Sequence, residues 1–189
     1  MKKKLMAVAL ATIIAVMAVA GASLAWLTDS SEKVENTFTV GNITIELKET
    51  TSNYKVVPGG TDNKNPSVTV KEKSEKCYVY VLIDNQLAIG GVTVATLDIN
   101  STNWIAVSTT GTQTLYRYKE VVDASSADVT HPVFTTVEYN GTLITSDNIN
   151  DLAAKKIVLK AFAHQSDNTT QDVADTAAKT WAQTAFTTP

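Results

Sequence analysis

The stretch CYVYVLIDN, residues 77–85, decides the fold class because apolar residues occupy both of its alternating faces. Side chains alternate across a β-strand, so Tyr78, Tyr80 and Leu82 share one face. The opposite face carries a second apolar set: Cys77, Val79, Val81 and Ile83. A strand that is apolar on both faces has to be covered on both faces. The stretch is therefore predicted to be an interior strand of a sandwich.

Other strand-like segments, separated by turn signals, lie on both sides of this stretch. They are residues 43–49, 67–72, 92–99, 104–107, 114–122, 133–139 and 157–164. Residues 54–66 are rich in Pro, Gly and Asn and are predicted to form a loop. Many short strands with frequent turns predict an all-β fold, an antiparallel jelly-roll-like β-sandwich with short helices in its loops.

Two segments have the pattern of short helices. Ser146–Lys155 begins with Asp147, which is predicted to cap it. Asp172–Thr184 is predicted to be capped by Asp172. Its apolar stripe is expected to contain Val173, Ala177, Ala178, Trp181 and Ala185.

The N-terminus has the three parts of an export signal. Lys2–Lys4 are basic, and Leu5–Ala20 is apolar except for one threonine. Ser23 and Ala25 then provide the small residues that signal peptidases accept. Cleavage is predicted between Ala25 and Trp26.

This cleavage defines the predicted domain organisation. Residues 1–25 are the signal peptide, and residues 26–189 form a single β-sandwich domain with an N-terminal extension, 26–42. The alternative is an uncleaved anchor, because Leu5–Leu27 contains the roughly 20 residues that a membrane-spanning helix needs. With cleavage, the product is secreted, and only its precursor contacts a membrane.

Charge and cysteine content exclude some classes of function. Removing the three leader lysines from 16 basic residues leaves 13 against 19 acidic residues, a net charge near −6. No basic patch is available to neutralise phosphates, so nucleic acid is not an expected partner. Cys77 is the only cysteine, so no internal disulfide forms and the fold relies on its apolar core.

Residues with catalytic chemistry are few and scattered. His131 and His164 are the only histidines, and the chain contains no His-Glu-x-x-His pattern for a zinc site on a helix. Cys77 has no histidine beside it and is predicted to be a small buried apolar residue. The sequence therefore predicts no catalytic residue, no metal ligand and no cofactor. A zinc site built from the two distant histidines and a carboxylate is the alternative.

Five stretches resemble one family. They are Ala25–Asp29 (AWLTD), Asn36–Asn42 (NTFTVGN), the turn Val57–Gly60 (VPGG), Cys77–Asn85 (CYVYVLIDN) and Ala161–Gln165 (AFAHQ). Together they resemble the camelysin/TasA-like family of exported Gram-positive proteins, whose precursors are processed by a SipW-type signal peptidase. The resemblance covers nearly the whole chain, and the N-terminal block is its specific part.

The resemblance implies a secreted jelly-roll protein of the biofilm matrix or the cell surface. Related fibres join subunits by donor-strand exchange, in which the N-terminal segment of one subunit completes a sheet of the next. The expected partners are the SipW-type signal peptidase and either further copies of the chain or a related matrix protein. A metallopeptidase label in the family makes a surface peptidase one alternative, and a monomeric adhesin or binding module is another.

The candidate for the exchanged strand lies between the cleavage site and the first strand of the domain. Its residues are Asn36, Thr37, Phe38, Thr39 and Val40. Alternation places Phe38 and Val40 on one face and the two threonines on the other. The strip 28–35 before it is polar and flexible enough to reach a neighbour with either pairing. Two pairings stay open, one within the strand's own subunit and one with the next subunit.

Overall fold

Short β-strands form most of the structure, a computed structural model that describes residues 42–49 and 55–186. The strands are β1 (Ile45–Lys48), β2 (Thr61–Asn63), β3 (Ser67–Val70), β4 (Cys77–Asn85), β5 (Ala88–Ile89), β6 (Val92–Thr93), β7 (Ala95–Leu97), β8 (Trp104–Thr110), β9 (Gln113–Tyr118), β10 (Val129–Pro132), β11 (Thr136–Tyr139) and β12 (Ile157–Gln165). The helical elements in this part of the chain are a 3-10 helix (Ile149–Leu152) and α1 (Gln171–Thr184).

β4 lies inside a four-stranded antiparallel sheet with the strand order β12-β4-β9-β8. Both of its faces are buried. Cys77, Val79 and Val81 are fully buried on one face, and Tyr80 and Leu82 are buried on the other. The prediction of an interior strand is confirmed.

The inner face of this sheet packs against two three-stranded antiparallel sheets, with the orders β1-β3-β10 and β2-β11-β7. Val68, Val70 and Val137 from these sheets share one apolar core with Val79 and Val81 of β4. The two remaining short strands, β5 and β6, form a hairpin. The predicted all-β antiparallel sandwich is therefore confirmed, with the core between its sheets.

The outer face of the four-stranded sheet is covered by α1. Ala174 and Ala178 of the helix are fully buried and share a second apolar cluster with Tyr80, Leu82 and Leu115. Small residues on the helix let it lie close to the sheet. The predicted short helix therefore also has a packing role, because it covers the second apolar face of β4.

The helix boundaries differ in detail from the sequence predictions. The segment 146–155 contains only the 3-10 helix, and its N-cap is Asn148 rather than Asp147. α1 is capped by the Thr170 side chain, which accepts a hydrogen bond from the Val173 backbone N–H at 3.4 Å. Val173 itself is 56% exposed, so the buried stripe contains Ala174 instead.

Several short strands lie where the sequence predicts loop or a different range. β2 lies within the predicted loop 54–66 and pairs with β11. β10 contains His131, which lies outside the predicted strands, and pairs with β3. Such short strands are defined by their hydrogen-bonded partners, which a local sequence pattern does not contain.

Candidate functional site

The most distinctive surface feature is the outer edge of the four-stranded sheet along β12. The sheet order places β12 at one edge and β8 at the other. Within residues 42–49 and 55–186, no strand pairs with the outer side of either. Exposed edges carry unpaired N–H and C=O groups that another chain can use as a template.

β12 is the longer and more regular of the two edges. Its nine residues pair one for one with β4, from Ile157 opposite Asn85 to Gln165 opposite Cys77. β8 has seven residues and a register shift between Ala106 and Ser108. Bulges of this kind twist an edge and weaken it as a template. β12 is therefore the better acceptor for an added strand.

Hydrogen bonds at the ends of β12 determine which main-chain groups point outward. The Lys156 carbonyl accepts from the Gln86 N–H at 3.0 Å, and the Ser166 N–H donates to the Lys76 carbonyl at 2.9 Å. Even-numbered residues therefore face β4, because the direction alternates along an antiparallel strand. The odd-numbered residues present their N–H and C=O groups to the open edge: Ile157, Leu159, Ala161, Ala163 and Gln165.

The inner side of this edge carries small side chains near its middle. Ala161 and Ala163 are small, and both lie against the core without being fully buried. β1 contacts β12 without pairing with it, and its Ile45 and Leu47 also pack against the core. An added strand would place its inward side chains beside these two alanines.

The outer side of the edge is held by α1. Phe162 stacks on Trp181 with ring centroids 5.2 Å apart and an angle of 20° between the planes. The Lys160 ammonium donates to the carbonyl of Ala185 just after the helix. β12 is thus held by β4 along its length and by α1 on its outer face.

A buried polar contact joins α1 to the sheet beneath it. Arg117, the only arginine of the chain, has its Nε 3.1 Å from Asp175 Oδ1, and its side chain is 6% exposed. The Arg117 Nε–H has no hydrogen bond, so the contact is an ion pair. The Tyr80 hydroxyl donates to the same carboxylate oxygen at 2.7 Å. Burial and the neighbouring Asp175 raise the pKa of Tyr80 far above its usual value.

The residues with catalytic chemistry have different surroundings in the fold. Cys77 is fully buried, and burial raises the pKa of its thiol to about 11. The prediction that Cys77 is a buried apolar residue is confirmed. His131 stacks on Tyr118 with ring centroids 3.8 Å apart, whereas His164 Nδ1 lies 2.9 Å from the Gln165 carbonyl oxygen at the end of β12. In the described ranges, no group of three or more His, Cys, Asp or Glu side chains could hold a metal ion.

The sequence-predicted sites lie outside the described residues. This holds for the cleavage-site residues Ser23, Ala25 and Trp26 and for the strand Asn36–Val40. In the part of the chain that is described, no helix is long and apolar enough to cross a membrane. The sequence does predict β12 as a strand, but it contains no signal that this strand is an edge.

Comparison with known proteins adds no further constraint on the site. No protein-family model, no curated protein and no solved structure matches the chain. The site is therefore interpreted from its geometry.

Proposed function

We propose that the protein is a secreted structural subunit that assembles by strand addition. The N-terminal strand Asn36–Val40 of one copy would pair with the open β12 edge of the next. The observation that carries this proposal is the regular, nine-residue edge of β12, with whose outer side no strand within residues 42–49 and 55–186 pairs. The resemblance of the N-terminal block to matrix proteins that exchange a donor strand supports it. A biofilm matrix or the cell surface is the corresponding location, and a SipW-type signal peptidase is the processing partner.

The dimensions of donor and acceptor agree. A five-residue strand spans about 17 Å, which is shorter than β12 with its nine residues. Added strands gain affinity from main-chain hydrogen bonds and specificity from alternate side chains. Phe38 and Val40 share a face, and that face would pack beside inward-facing residues of the edge such as Leu159 and Ala161.

The energy of the contact is modest. Each new hydrogen bond contributes roughly 0.5–1.5 kcal/mol net, and full burial of Phe38 or Val40 contributes roughly 1.5–3 kcal/mol each. Association costs roughly 4–15 kcal/mol in lost freedom of motion. The free energy gained from these contacts and the free energy lost on association are of the same order. Single substitutions in the strand are therefore expected to change assembly measurably.

Repetition of this contact produces a filament. Each copy offers a donor strand at its N-terminus and an acceptor edge at β12, so the interface is heterologous. A heterologous interface that does not close into a ring gives an open filament. Co-assembly with a related matrix protein would use the same two surfaces.

Light scattering and electron microscopy of the mature protein test the proposal. Phe38→Asp is expected to weaken assembly at least ten-fold, since roughly 1.5–3 kcal/mol of apolar burial is lost. Thr37→Asp is the matched control, because it places the same charge on the opposite face of the strand. A chain that starts at Gly41 should stay monomeric.

The acceptor edge has its own test. Ala161→Pro removes an outward-facing N–H that β4 does not use, and proline is tolerated on edge strands. This variant is expected to keep its melting temperature within a few degrees and to lose assembly. Mature protein that stays monomeric at high concentration, or a Gly41 chain that assembles as well as the full one, would show that the strand pairs within its own subunit.

A further inference from the structure

The two ends of the β12 edge carry opposite charge. Beside Ile157, at the start of the strand, a groove of about 420 Å³ is lined by three lysines and one glutamate, above apolar and aromatic side chains. The charged lining residues are Lys64, Lys155, Lys156 and Glu49. The charge of the lining is therefore +2, in a mature chain that is acidic as a whole.

The structure holds two of the three lysines of this groove in place. Lys64 pairs with Glu49 at 3.0 Å, and the Lys155 ammonium donates to the Ala88 carbonyl. Lys156 directly precedes Ile157 and is exposed. The lysines thus make the groove positively charged, at the end of β12 where an added strand would begin or end.

The other end of β12 is acidic. Lys76 is bound to Ser166 through the main chain, and its ammonium pairs with Asp123 at 3.2 Å. Glu75 precedes Lys76, and Asp167 follows Ser166. These four charged residues sum to −2.

The segment before the donor strand matches only one of these ends. Residues 28–35 contain Asp29, Glu32 and Glu35 and one lysine, Lys33. Their net charge of −2 is complementary to the lysine groove and repelled by the acidic end. The stretch Thr50–Tyr54, next to the groove in sequence, contains no charged residue.

We infer that the acidic strip 28–35 of a second copy docks in the lysine groove and that the donor strand therefore runs parallel to β12. Asn36 then lies near Ile157, and Val40 lies towards the middle of the edge. This inference rests on the proposed strand addition and adds its direction. An antiparallel strand would bring the acidic strip to Gln165 and the carboxylates beside it.

The position of the first described residues agrees with this direction. The Asn42 carbonyl accepts from the Glu75 N–H at 3.0 Å, so the chain enters the domain at the acidic end of β12. A strand that precedes Asn42 and pairs with β12 of its own subunit ends at the acidic end. If it begins at the lysine end, it runs from Ile157 towards Gln165, which is the direction of β12 itself. In domain-swapped proteins, an exchanged strand usually occupies the position that it would have in its own subunit. Pairing within a subunit and pairing between subunits therefore predict the same strand direction.

Cross-linking between two cysteine variants of the mature protein tests the direction. The donor carries Val34→Cys, and the acceptor carries either Ala154→Cys, before the lysine groove, or Gln165→Cys, at the other end. Both acceptor sites are exposed, and none of the changes alters a charge. The native Cys77 does not compete, because it is fully buried. The ends of a nine-residue strand are about 26 Å apart, so a maleimide cross-linker of about half that length distinguishes them.

The outcomes separate the direction from the proposed function. Because donor and acceptor cysteines are on different chains, only contact between copies gives a covalent dimer. A dimer with Ala154→Cys, and at least five-fold less with Gln165→Cys, is expected. The reverse preference would refute the parallel direction and retain strand addition. Absence of both dimers would refute the inference, and monomers in light scattering of the same samples would refute the proposed function as well.

Charge reversal provides an independent readout. Lys156→Glu is expected to raise the concentration needed for assembly roughly two- to five-fold, the effect of an exposed ion pair. Glu35→Lys in the same chain should restore assembly. Lys119→Glu is the control, since this exposed lysine follows β9 at the other end of the sheet. An equal effect of Lys156→Glu and Lys119→Glu would refute docking in the groove.

Discussion

Replacement of Asp175 by alanine is expected to be the most damaging single change on α1. The carboxylate lies 3.1 Å from Arg117 Nε and accepts a hydrogen bond from the Tyr80 hydroxyl at 2.7 Å. Without it, the buried guanidinium retains only its Nη1 contacts to the carbonyls of Tyr118 and Lys119, at 3.3 and 3.2 Å. A positive charge would then be left in an apolar layer with no counter-charge.

The expected loss follows from the burial of the two side chains. Breaking a buried ion pair costs roughly 3–5 kcal/mol. The Asp175 side chain is 17% exposed and that of Arg117 is 6% exposed, so water screens the pair slightly, and we expect about 3 kcal/mol. In a domain of this size, that lowers the melting temperature by about 10 °C. Urea unfolding and thermal denaturation followed by circular dichroism measure both quantities.

Two further variants isolate the charge effect. Asp172→Ala removes an exposed carboxylate from the first turn of the same helix and should cost less than about 1 kcal/mol. The pair Arg117→Met and Asp175→Leu replaces both charges with apolar side chains and should be more stable than Asp175→Ala, although it still lacks the acceptor of the buried Tyr80 hydroxyl, a loss of roughly 1–3 kcal/mol. A loss below about 1 kcal/mol in Asp175→Ala, or a double variant no more stable than the single one, would show that Arg117 does not depend on Asp175.

The consequence for assembly follows from the position of α1. The helix packs on the outer side of β12 through Trp181 and Phe162, so loosening it should loosen the acceptor edge. Asp175→Ala is therefore expected to raise the concentration needed for assembly at temperatures where the protein is still folded.

Three other predictions concern processing, catalysis and pH. The secreted protein should begin at Trp26, and an intact mass that includes Lys2–Lys4 would indicate an uncleaved anchor instead. Purified mature protein should not cleave casein; stoichiometric zinc together with activity lost in His131→Ala or His164→Ala would support the peptidase alternative. The free energy of unfolding should fall as the pH drops from 7 to 5, because burial lowers the pKa of His131 below its usual 6.5 and the unfolded chain then binds the proton more readily. His131→Phe should flatten this dependence in urea titrations at the two pH values, and an unchanged slope would assign it to other groups.

The main elements of the fold could be predicted from local patterns. β4 and β12 coincide with the predicted strands to within one residue, because alternation of apolar side chains over nine residues is a strong signal. α1 also agrees with its predicted range to within one residue. The buried face of α1 differs from the predicted apolar stripe. Ala174 rather than Val173 packs on the sheet, since small residues allow closer packing.

The short strands and the buried polar contact of Arg117 could not be predicted from local sequence patterns. β2 and β10 contain only three and four residues and exist because β11 and β3 pair with them. Arg117 alternates with apolar residues in β9 and has no local feature that marks it as buried. Its burial depends on Asp175, which is 58 positions away in the chain and reaches it only when α1 docks on the sheet.

The sequence by itself determined that β4 has to be buried on both faces, because alternate residues form each face and both sets are apolar. It also determined the composition of the N-terminal segment, with an acidic strip before a short strand of alternating character. Only the tertiary structure decided that β12 lies at an edge, with lysines at one end and carboxylates at the other. Strand order and the meeting of distant charges are set by long-range pairing, which depends on how the whole chain packs rather than on any local stretch of it.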